Sequence, residues 1–245
     1  MADGSAPLGA ILKEKIMKTI LSLIFLLTVT IVHGQFSIIN DPDGYVYVRE
    51  TPKKTNNIID TIFSDQYFFC MEAEGNWRPI DYNKNGEDKT GYIYNSRTKS
   101  LEEFTSINTK VLKENSLNLS LDSIQIYIET EAFDVKHNTL TYNKQNGYNN
   151  LTKINNKPYY GTDGGIPQRQ YKIIRIKFGQ KTTQIKESEI SDLFEPNLDS
   201  TFATYDALTH RLYLFASNSD GAGGYEVLWV FENGKYKKRV FAFGF

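Results

Sequence analysis

The sequence predicts an all-β protein: a small barrel of short strands, followed by a second, mainly antiparallel β domain with one short helix. Three observations support this prediction. Short runs in which apolar and polar residues alternate recur from residue 38 onward. The chain contains 16 tyrosines and 15 phenylalanines in 245 residues, and aromatic residues favour strands. Glycine, asparagine, aspartate and proline separate the runs, as turn residues do between short strands.

An apolar run near the start of the chain predicts an export signal. Met17 and Lys18 open a short region with one positive charge, and the apolar run 20–32 that follows, about 13 residues, has the length of a signal-peptide core and is too short to span a bilayer. A buried or membrane-anchoring helix is the alternative. We expect residues 17–34 to be a cleaved signal peptide and residues 1–16 an upstream extension. The mature protein would then be secreted or periplasmic, with no stable membrane span.

Charge and cysteine content exclude several classes of function. The formal net charge is −1, so we expect no nucleic-acid partner. The single cysteine excludes an intrachain disulfide and a zinc site built from several cysteines. Cys70 lies in an apolar run, which indicates a buried, inert thiol. We expect neither a cofactor nor a metal.

The first domain is expected over residues 35–101. In the strand that begins at Tyr45, Val46 and Val48 face one side and Tyr45 and Tyr47 the other, because side chains alternate along a strand. Further short strands are expected at 58–63, around Cys70, at 77–80 and at 91–94, with a polar loop over 81–89. Short strands separated by turns predict a small closed barrel.

Several residues of this stretch follow a known pattern. They are Gly44, Val46-Tyr47-Val48-Arg49, Pro52, Gly75-Asn76-Trp77 and the closing run Gly91-Tyr92-Ile93-Tyr94-Asn95-Ser96-Arg97. Over residues 41–101 the chain resembles bacterial Src-homology-3-like (SH3b-type) domains. It departs at Thr51, where a glycine usually precedes the proline, and in a longer loop over 83–89. The resemblance implies binding of cell-wall peptidoglycan or of short peptides.

The predicted ligand-binding residues lie opposite the core-facing positions of their strands. Exposed tyrosines form a rigid surface with a hydrogen-bonding tip, which suits peptide or sugar contact. The candidates are Tyr45, Tyr47, Tyr92, Tyr94, Trp77 and Arg49. Alternatively, the tyrosines pack against the second domain, Trp77 belongs to the core and Arg49 is simply solvated.

A polar linker is expected over residues 102–122, becoming an entry strand near 117–121, and a second β domain of unknown function over residues 123–245. Ile124, Ile126 and Ile128 alternate with polar residues, which predicts a half-buried strand. The residues 188–194 indicate one or two helical turns that end at Pro196. A hairpin is expected at Asn233-Gly234, a pair typical of type I′ turns.

Two glycine-rich loops are candidate interaction elements. Asp220, Gly221, Gly223 and Gly224 could belong to a phosphate-binding loop, but such loops open a helix, whereas a strand is expected here. We therefore interpret them as a hairpin connection. Together with the turn at residues 161–167 and the stop at 193–196, this loop resembles uncharacterised secreted bacterial proteins.

No catalytic pattern is evident in the sequence. Beyond the signal peptide only His137 and His210 remain, and no Gly-x-Ser-x-Gly motif is present. The half calcium-loop at 81–86 lacks the Glu that its twelfth position needs, since Tyr92 stands there. We predict a non-enzymatic protein that binds a cell-wall fragment or a peptide or protein ligand. The alternatives are an inhibitor or immunity-type protein that acts on a secreted enzyme through the C-terminal domain and, third, an unrecognised cell-wall hydrolase.

Overall fold

Strands dominate the computed structural model, which describes residues 35–145 and 147–243, and the predicted all-β class is confirmed. The predicted upstream extension and signal peptide lie outside the described residues. The described residues belong to one compact unit. No helix found among them is long and apolar enough to cross a membrane.

The N-terminal part is a curled, half-barrel sheet of seven antiparallel strands. Its strands are β1 (Gln35–Ile39), β2 (Tyr45–Arg49), β3 (Ile58–Phe63), β4 (Phe68–Cys70), β5 (Trp77–Lys84), β6 (Glu87–Tyr94) and β7 (Thr98–Ser100). Their order across the sheet is β3-β2-β6-β5-β4-β1-β7. Val46, Val48 and Cys70 are buried in one apolar core, as their alternation and apolar neighbours predict.

Gly91 allows β6 to approach β2 closely. A Cβ atom at this position would lie 2.4 Å from Cγ1 of Val48 and 3.1 Å from the carbonyl oxygen of Arg49. Any larger side chain would therefore force β6 and β2 apart.

The prediction of a polar loop over residues 81–89 is wrong. The segment is the hairpin of β5 and β6, joined by only Asn85 and Gly86. These two residues have φ angles of 58° and 84°, the conformation that a type I′ turn requires. The loop was expected because both faces of the hairpin tip are polar, but Asn-Gly is the sequence signal for the turn. The same hairpin occupies residues 81–86, considered above as half a calcium-binding loop. It also occupies residues 83–89, where a loop longer than that of SH3b-type domains was expected.

Twelve further strands follow. They are β8 (Thr105–Ser106), β9 (Thr109–Lys113), β10 (Ser116–Leu121), β11 (Ile124–Ala132), β12 (Leu140–Gln145), β13 (Tyr148–Ile154), β14 (Arg169–Phe178), β15 (Lys181–Gln184), β16 (Thr201–Asp206), β17 (Arg211–Asn218), β18 (Tyr225–Glu232) and β19 (Lys235–Ala242). One sheet has the order β15-β14-β11-β10-β9 and another β19-β18-β17-β16-β8, while β12 and β13 pair separately. Within the expected linker, 102–122, β10 lies where the entry strand near 117–121 is expected, whereas β8 and β9 were not expected.

The two five-stranded sheets pack face to face around the largest core. Ile124, Ile126 and Ile128 of β11 are buried in it, as their alternation predicts, together with Leu214 and Trp229 of the opposite sheet. The expected helix at 188–194 is reduced to a single 3₁₀ turn at Glu187–Glu189.

A separate apolar core joins the N-terminal sheet to the β17–β18 face that points away from the sandwich. Phe36 and Phe69 of the N-terminal sheet pack there with Tyr213, Phe215 and Leu228. Strands β17 and β18 are therefore buried on both faces, which accounts for their nearly continuous apolar sequence.

Candidate functional site

The six predicted ligand-binding residues lie on one face of β2, β6 and β5. Arg49 is the cross-strand partner of Tyr92, and Trp77 is the partner of Tyr94. Partners directly opposite each other project from the same side of a sheet, and residues two apart along a strand do the same. The structure thus brings together residues that the sequence places in three strands. We call this surface the aromatic face.

Ring contacts order the aromatic face. The Trp77 and Tyr94 ring centroids are 5.3 Å apart with an interplanar angle of 84°, and the guanidinium carbon of Arg49 lies 5.8 Å from the Trp77 centroid. Tyr45 and Tyr47 form a second edge-to-face pair at 5.4 Å. Edge-to-face rings and a cation over a ring are attractive arrangements, so these side chains support one another.

Arg49 is held in place by the loop between β2 and β3. Its Nη1 donates hydrogen bonds to the Thr55 carbonyl oxygen at 2.6 Å and to Asn57 Oδ1 at 3.0 Å. Asn57 Nδ2 in turn donates to Thr51 Oγ1 at 2.6 Å and to the Thr51 carbonyl oxygen at 3.0 Å. Thr51 therefore supplies two acceptors that fix this loop.

The aromatic face is open to solvent. Tyr47 and Tyr94 are 44% and 37% exposed, and Tyr45, Tyr92 and Trp77 are half-buried. None of these five rings belongs to the cores that contain residues of the C-terminal part. Packing against that part, which was one alternative, is not what the described residues show.

The face extends further than the sequence indicated. Phe63 and Ile58 of the edge strand β3 are the cross-strand partners of Tyr45 and Arg49, and both are exposed. Sequence reasoning missed Ile58 because a one-residue bulge beside Arg49 interrupts the alternation at that end of β3. Phe63 was missed because only its pairing with Tyr45 places it on this face.

A second candidate site is a cleft of about 1150 Å³ in the C-terminal part. Its walls include parts of the three segments that the sequence singled out, the turn at 161–167, the stop at 193–196 and the glycine-rich loop at 220–224. Asp220, Gly221 and Gly223 line the cleft, whereas Gly224 caps the 3₁₀ turn at Gly221–Gly223. The glycine-rich loop connects β17 to its antiparallel partner β18, as the hairpin interpretation predicts.

The glycines of the cleft allow backbones to touch. Gly161 has a φ angle of 118°, and a Cβ there would lie 2.3 Å from the Phe194 carbonyl oxygen. A Cβ on Gly223 would lie 2.9 Å from Cα of Thr162. Only glycine fits these approaches, so the glycine pattern reflects close packing of three loops.

Two residues other than glycine adopt left-handed backbone conformations beside the cleft. Glu195 and Ser219 have φ angles of 50° and 62°, and the Ser219 N–H donates to the Glu195 carbonyl oxygen at 3.1 Å. Ser219 Oγ also donates to the Gly161 carbonyl oxygen at 2.7 Å. Such conformations are costly and persist where surrounding contacts impose them. Their clustering indicates that contacts between these loops determine the shape of the cleft rim.

A buried amide anchors the rim to the core. Asn218 is almost fully buried, and its Oδ1 accepts hydrogen bonds from the Tyr171 hydroxyl at 3.1 Å and from the Asn197 N–H at 2.8 Å. The Tyr225 hydroxyl donates to the Phe194 carbonyl oxygen at 2.9 Å. These bonds connect the loops at the rim to strands of both sheets.

The residues considered for catalysis keep local partners. On an exposed turn, His137 Nδ1 lies 2.6 Å from Asp134 Oδ2. His210 Nδ1 lies 3.0 Å from the Tyr205 hydroxyl oxygen. Burial raises the pKa of the Cys70 thiol. None of the three lines the cleft, and the part of the chain that the structure describes holds no group of three metal-ligating side chains.

Comparison of this chain with protein-family models, with curated proteins and with solved structures found no match. Function is therefore inferred from the aromatic face and the cleft themselves.

Proposed function

We propose that this protein is a secreted or periplasmic binding protein without enzymatic activity, and that its aromatic face recognises a cell-wall or peptide ligand. One observation supports this most strongly. Five aromatic side chains and Arg49 share a single solvent-facing surface on three neighbouring strands. The resemblance to SH3b-type domains, which implies the same activity, remains a prediction.

The chemistry of the face suits an extended ligand with a carboxylate. Tyrosine and tryptophan supply large contact areas with few rotatable bonds, so little conformational entropy is lost on binding. Arg49 is already oriented by Thr55 and Asn57, which lowers the cost of forming a further hydrogen bond. A peptide C-terminus or the carboxyl group of a cell-wall peptide is a suitable acceptor for its remaining N–H groups.

The test compares retention of the purified protein on isolated peptidoglycan and its affinity for short peptides. We expect Tyr47→Ala combined with Tyr94→Ala to weaken binding at least about tenfold, a loss of roughly 1.4 kcal/mol. Tyr142→Ala is the matched control, because Tyr142 is 45% exposed and lies on the separate β12–β13 hairpin. Absence of retention and of peptide binding, or binding unchanged in the double variant, would contradict the proposal.

The inhibitor alternative assigned the glycine-rich loop to insertion into an enzyme. The loop instead packs closely on Thr162, and its residues form one wall of the cleft. This arrangement suits a receiving surface better than an inserting one, so the aromatic face carries the proposed function.

A further inference from the structure

The edge strand β9 borders the cleft with unpaired backbone. It is the last strand of its sheet, and all five of its residues are exposed. Leu112 and Lys113 of β9, and Glu114 after it, line the cleft. An edge of this kind presents N–H and C=O groups that can pair with another extended chain.

The sandwich is incomplete at this edge. Leu112 is paired with Leu117 and Lys110 with Leu119, so all four project from the same face of the sheet. Leu117 and Leu119 are fully buried in the sandwich core, whereas Leu112 is 43% exposed. Among the described residues, no further strand of this sheet therefore covers Leu112 on its outer side.

Lys110, two residues before Leu112 on β9, protects its own part of the edge. Its Nζ donates to the Asp199 carbonyl oxygen at 2.6 Å. A charged side chain that points inward from an edge strand blocks pairing by other chains. Two residues further along β9, Leu112 is 43% exposed, so this end of the edge is accessible.

Another part of the cleft lining is apolar. Ile166 is 46% exposed and lines the cleft together with Pro196. The cleft volume, about 1150 Å³, lies above the roughly 300–1,000 Å³ typical of small-molecule pockets. The cleft therefore has room for several residues of a polypeptide.

The charged side chains that line the cleft indicate which kind of ligand it suits. Carboxylates outnumber cationic side chains among the lining residues: Glu114, Asp163, Glu195, Asp199 and Asp220 against Lys113 and Arg169. Of these carboxylates, Asp199 is paired with Lys110. The Arg169 guanidinium is already hydrogen-bonded to Asn115 and Thr130. Within the described part of the chain, Glu114, Asp163 and Asp220 form no ion pair. This distribution favours a cationic ligand and disfavours phosphate.

We propose that the cleft receives an extended, basic peptide segment of another protein, which adds to β9 as a sixth strand of its sheet. Backbone hydrogen bonds to β9 supply affinity, as in other cases of strand addition. An aliphatic side chain of the peptide packs between Leu112 and Ile166, and its lysine or arginine side chains face the acidic rim. This site is separate from the aromatic face and does not depend on its function.

Titration calorimetry with the full chain tests the proposal. The probe is an acetylated and amidated heptapeptide in which lysine and valine alternate. We expect it to bind, the glutamate–valine counterpart to bind at least about tenfold more weakly, and a lysine–valine peptide N-methylated at alternate residues to lose binding, since N-methylation removes the N–H donors. Absence of binding by the first peptide, or equal binding by the N-methylated one, overturns strand addition.

Protein variants locate the site. Leu112→Lys should weaken binding of the lysine–valine peptide at least about tenfold. Val111→Lys is the control, because Val111 is 50% exposed and faces the other side of β9. This variant should change the affinity less than about threefold. Tyr47→Ala should leave this affinity unchanged, which separates the cleft from the aromatic face. Equal effects of the two lysine substitutions overturn the proposal. So does a concentration-dependent dimer that Leu112→Lys abolishes, because the occupant would then be a second copy of the chain.

Discussion

The aromatic face and the cleft both present polar and apolar groups to solvent, yet they are built in different ways. The side chains of the aromatic face alternate along β2, β6 and β5, all within residues 45–94. The cleft combines segments from residue 112 to residue 223, and its shape depends on backbone conformations at positions such as Gly161 and Ser219. Regular strands fix the first surface, whereas contacts between distant loops fix the second.

This difference has an energetic consequence. Exposed side chains on a regular sheet can be truncated with little loss of stability, so their removal affects binding alone. Residues that permit a close backbone approach cannot be changed without moving the loops they hold together. Substitutions in the two regions should therefore separate into those that alter binding and those that alter folding.

The largest effect is expected for Gly161→Ala. The new Cβ would overlap the Phe194 carbonyl group in a backbone conformation that L-residues rarely adopt, so we expect the free energy of unfolding to fall by about 3 kcal/mol or more. Urea denaturation measures this loss. Gly165→Ala is the matched control, because a Cβ there meets nothing within 4 Å, and it should be nearly neutral. If both variants lost a similar amount of unfolding free energy, the close approach at Gly161 would not be what stabilises these loops.

An intermediate effect is expected where the N-terminal sheet meets the strand after the glycine-rich loop. Burial, and to a lesser extent the nearby Glu102, raise the pKa of Glu226 from its usual 4.5 to about 7, against a lowering by Ser217. A raised carboxyl pKa favours folding fully below pH 4.5, and this contribution is lost as the pH rises to about 7. Glu226→Gln should therefore increase the free energy of unfolding at pH 8 by about 1–2 kcal/mol after allowance for solvent screening, with little change at pH 4.

Urea denaturation of the Glu226→Gln variant at both pH values distinguishes this effect from a general gain in packing. A stabilisation of equal size at pH 4 and at pH 8 would show that ionisation of Glu226 is not its cause. Glu114→Gln, at an exposed position beside the cleft, serves as a control for the loss of one negative charge.

The smallest effect on stability is expected on the aromatic face. Tyr47→Ala and Tyr94→Ala each remove an exposed ring, and we expect each to change the free energy of unfolding by less than about 0.5 kcal/mol. Thermal unfolding provides the measurement. A loss of several kcal/mol in either variant would mean that these rings stabilise the sheet, and the contrast with Gly161→Ala would fail.

Several elements were predictable because a local pattern sufficed. Ile124, Ile126 and Ile128 alternate with polar residues and are buried as expected. Asn233 and Gly234, with φ angles of 52° and 73°, form the turn between β18 and β19. The aromatic face was identified in the same way, since its residues lie opposite buried valines and an isoleucine.

Other elements were missed because their residues give no such pattern. Strand β9 is exposed throughout and carries no apolar alternation, so residues 102–122 resembled a linker. The 3₁₀ turn at Glu187–Glu189 replaces an expected helix because the following residues pair elsewhere, as when the Phe194 N–H donates to the Tyr160 carbonyl oxygen. The open edge beside the cleft depends on which strand ends the sheet, which no local spacing indicates.

The sequence by itself determined the all-β class, the inward faces of the strands and the aromatic side chains of one surface, because each follows from a period of two along a strand. Only the tertiary structure decided that this surface stays open and that three glycine-containing or strained loops meet in one cleft beside an unpaired edge. These features arise from packing between segments far apart in the chain. The proposed binding of a cell-wall or peptide ligand thus has its origin in local alternation, whereas the proposed strand addition at β9 depends on the assembled fold.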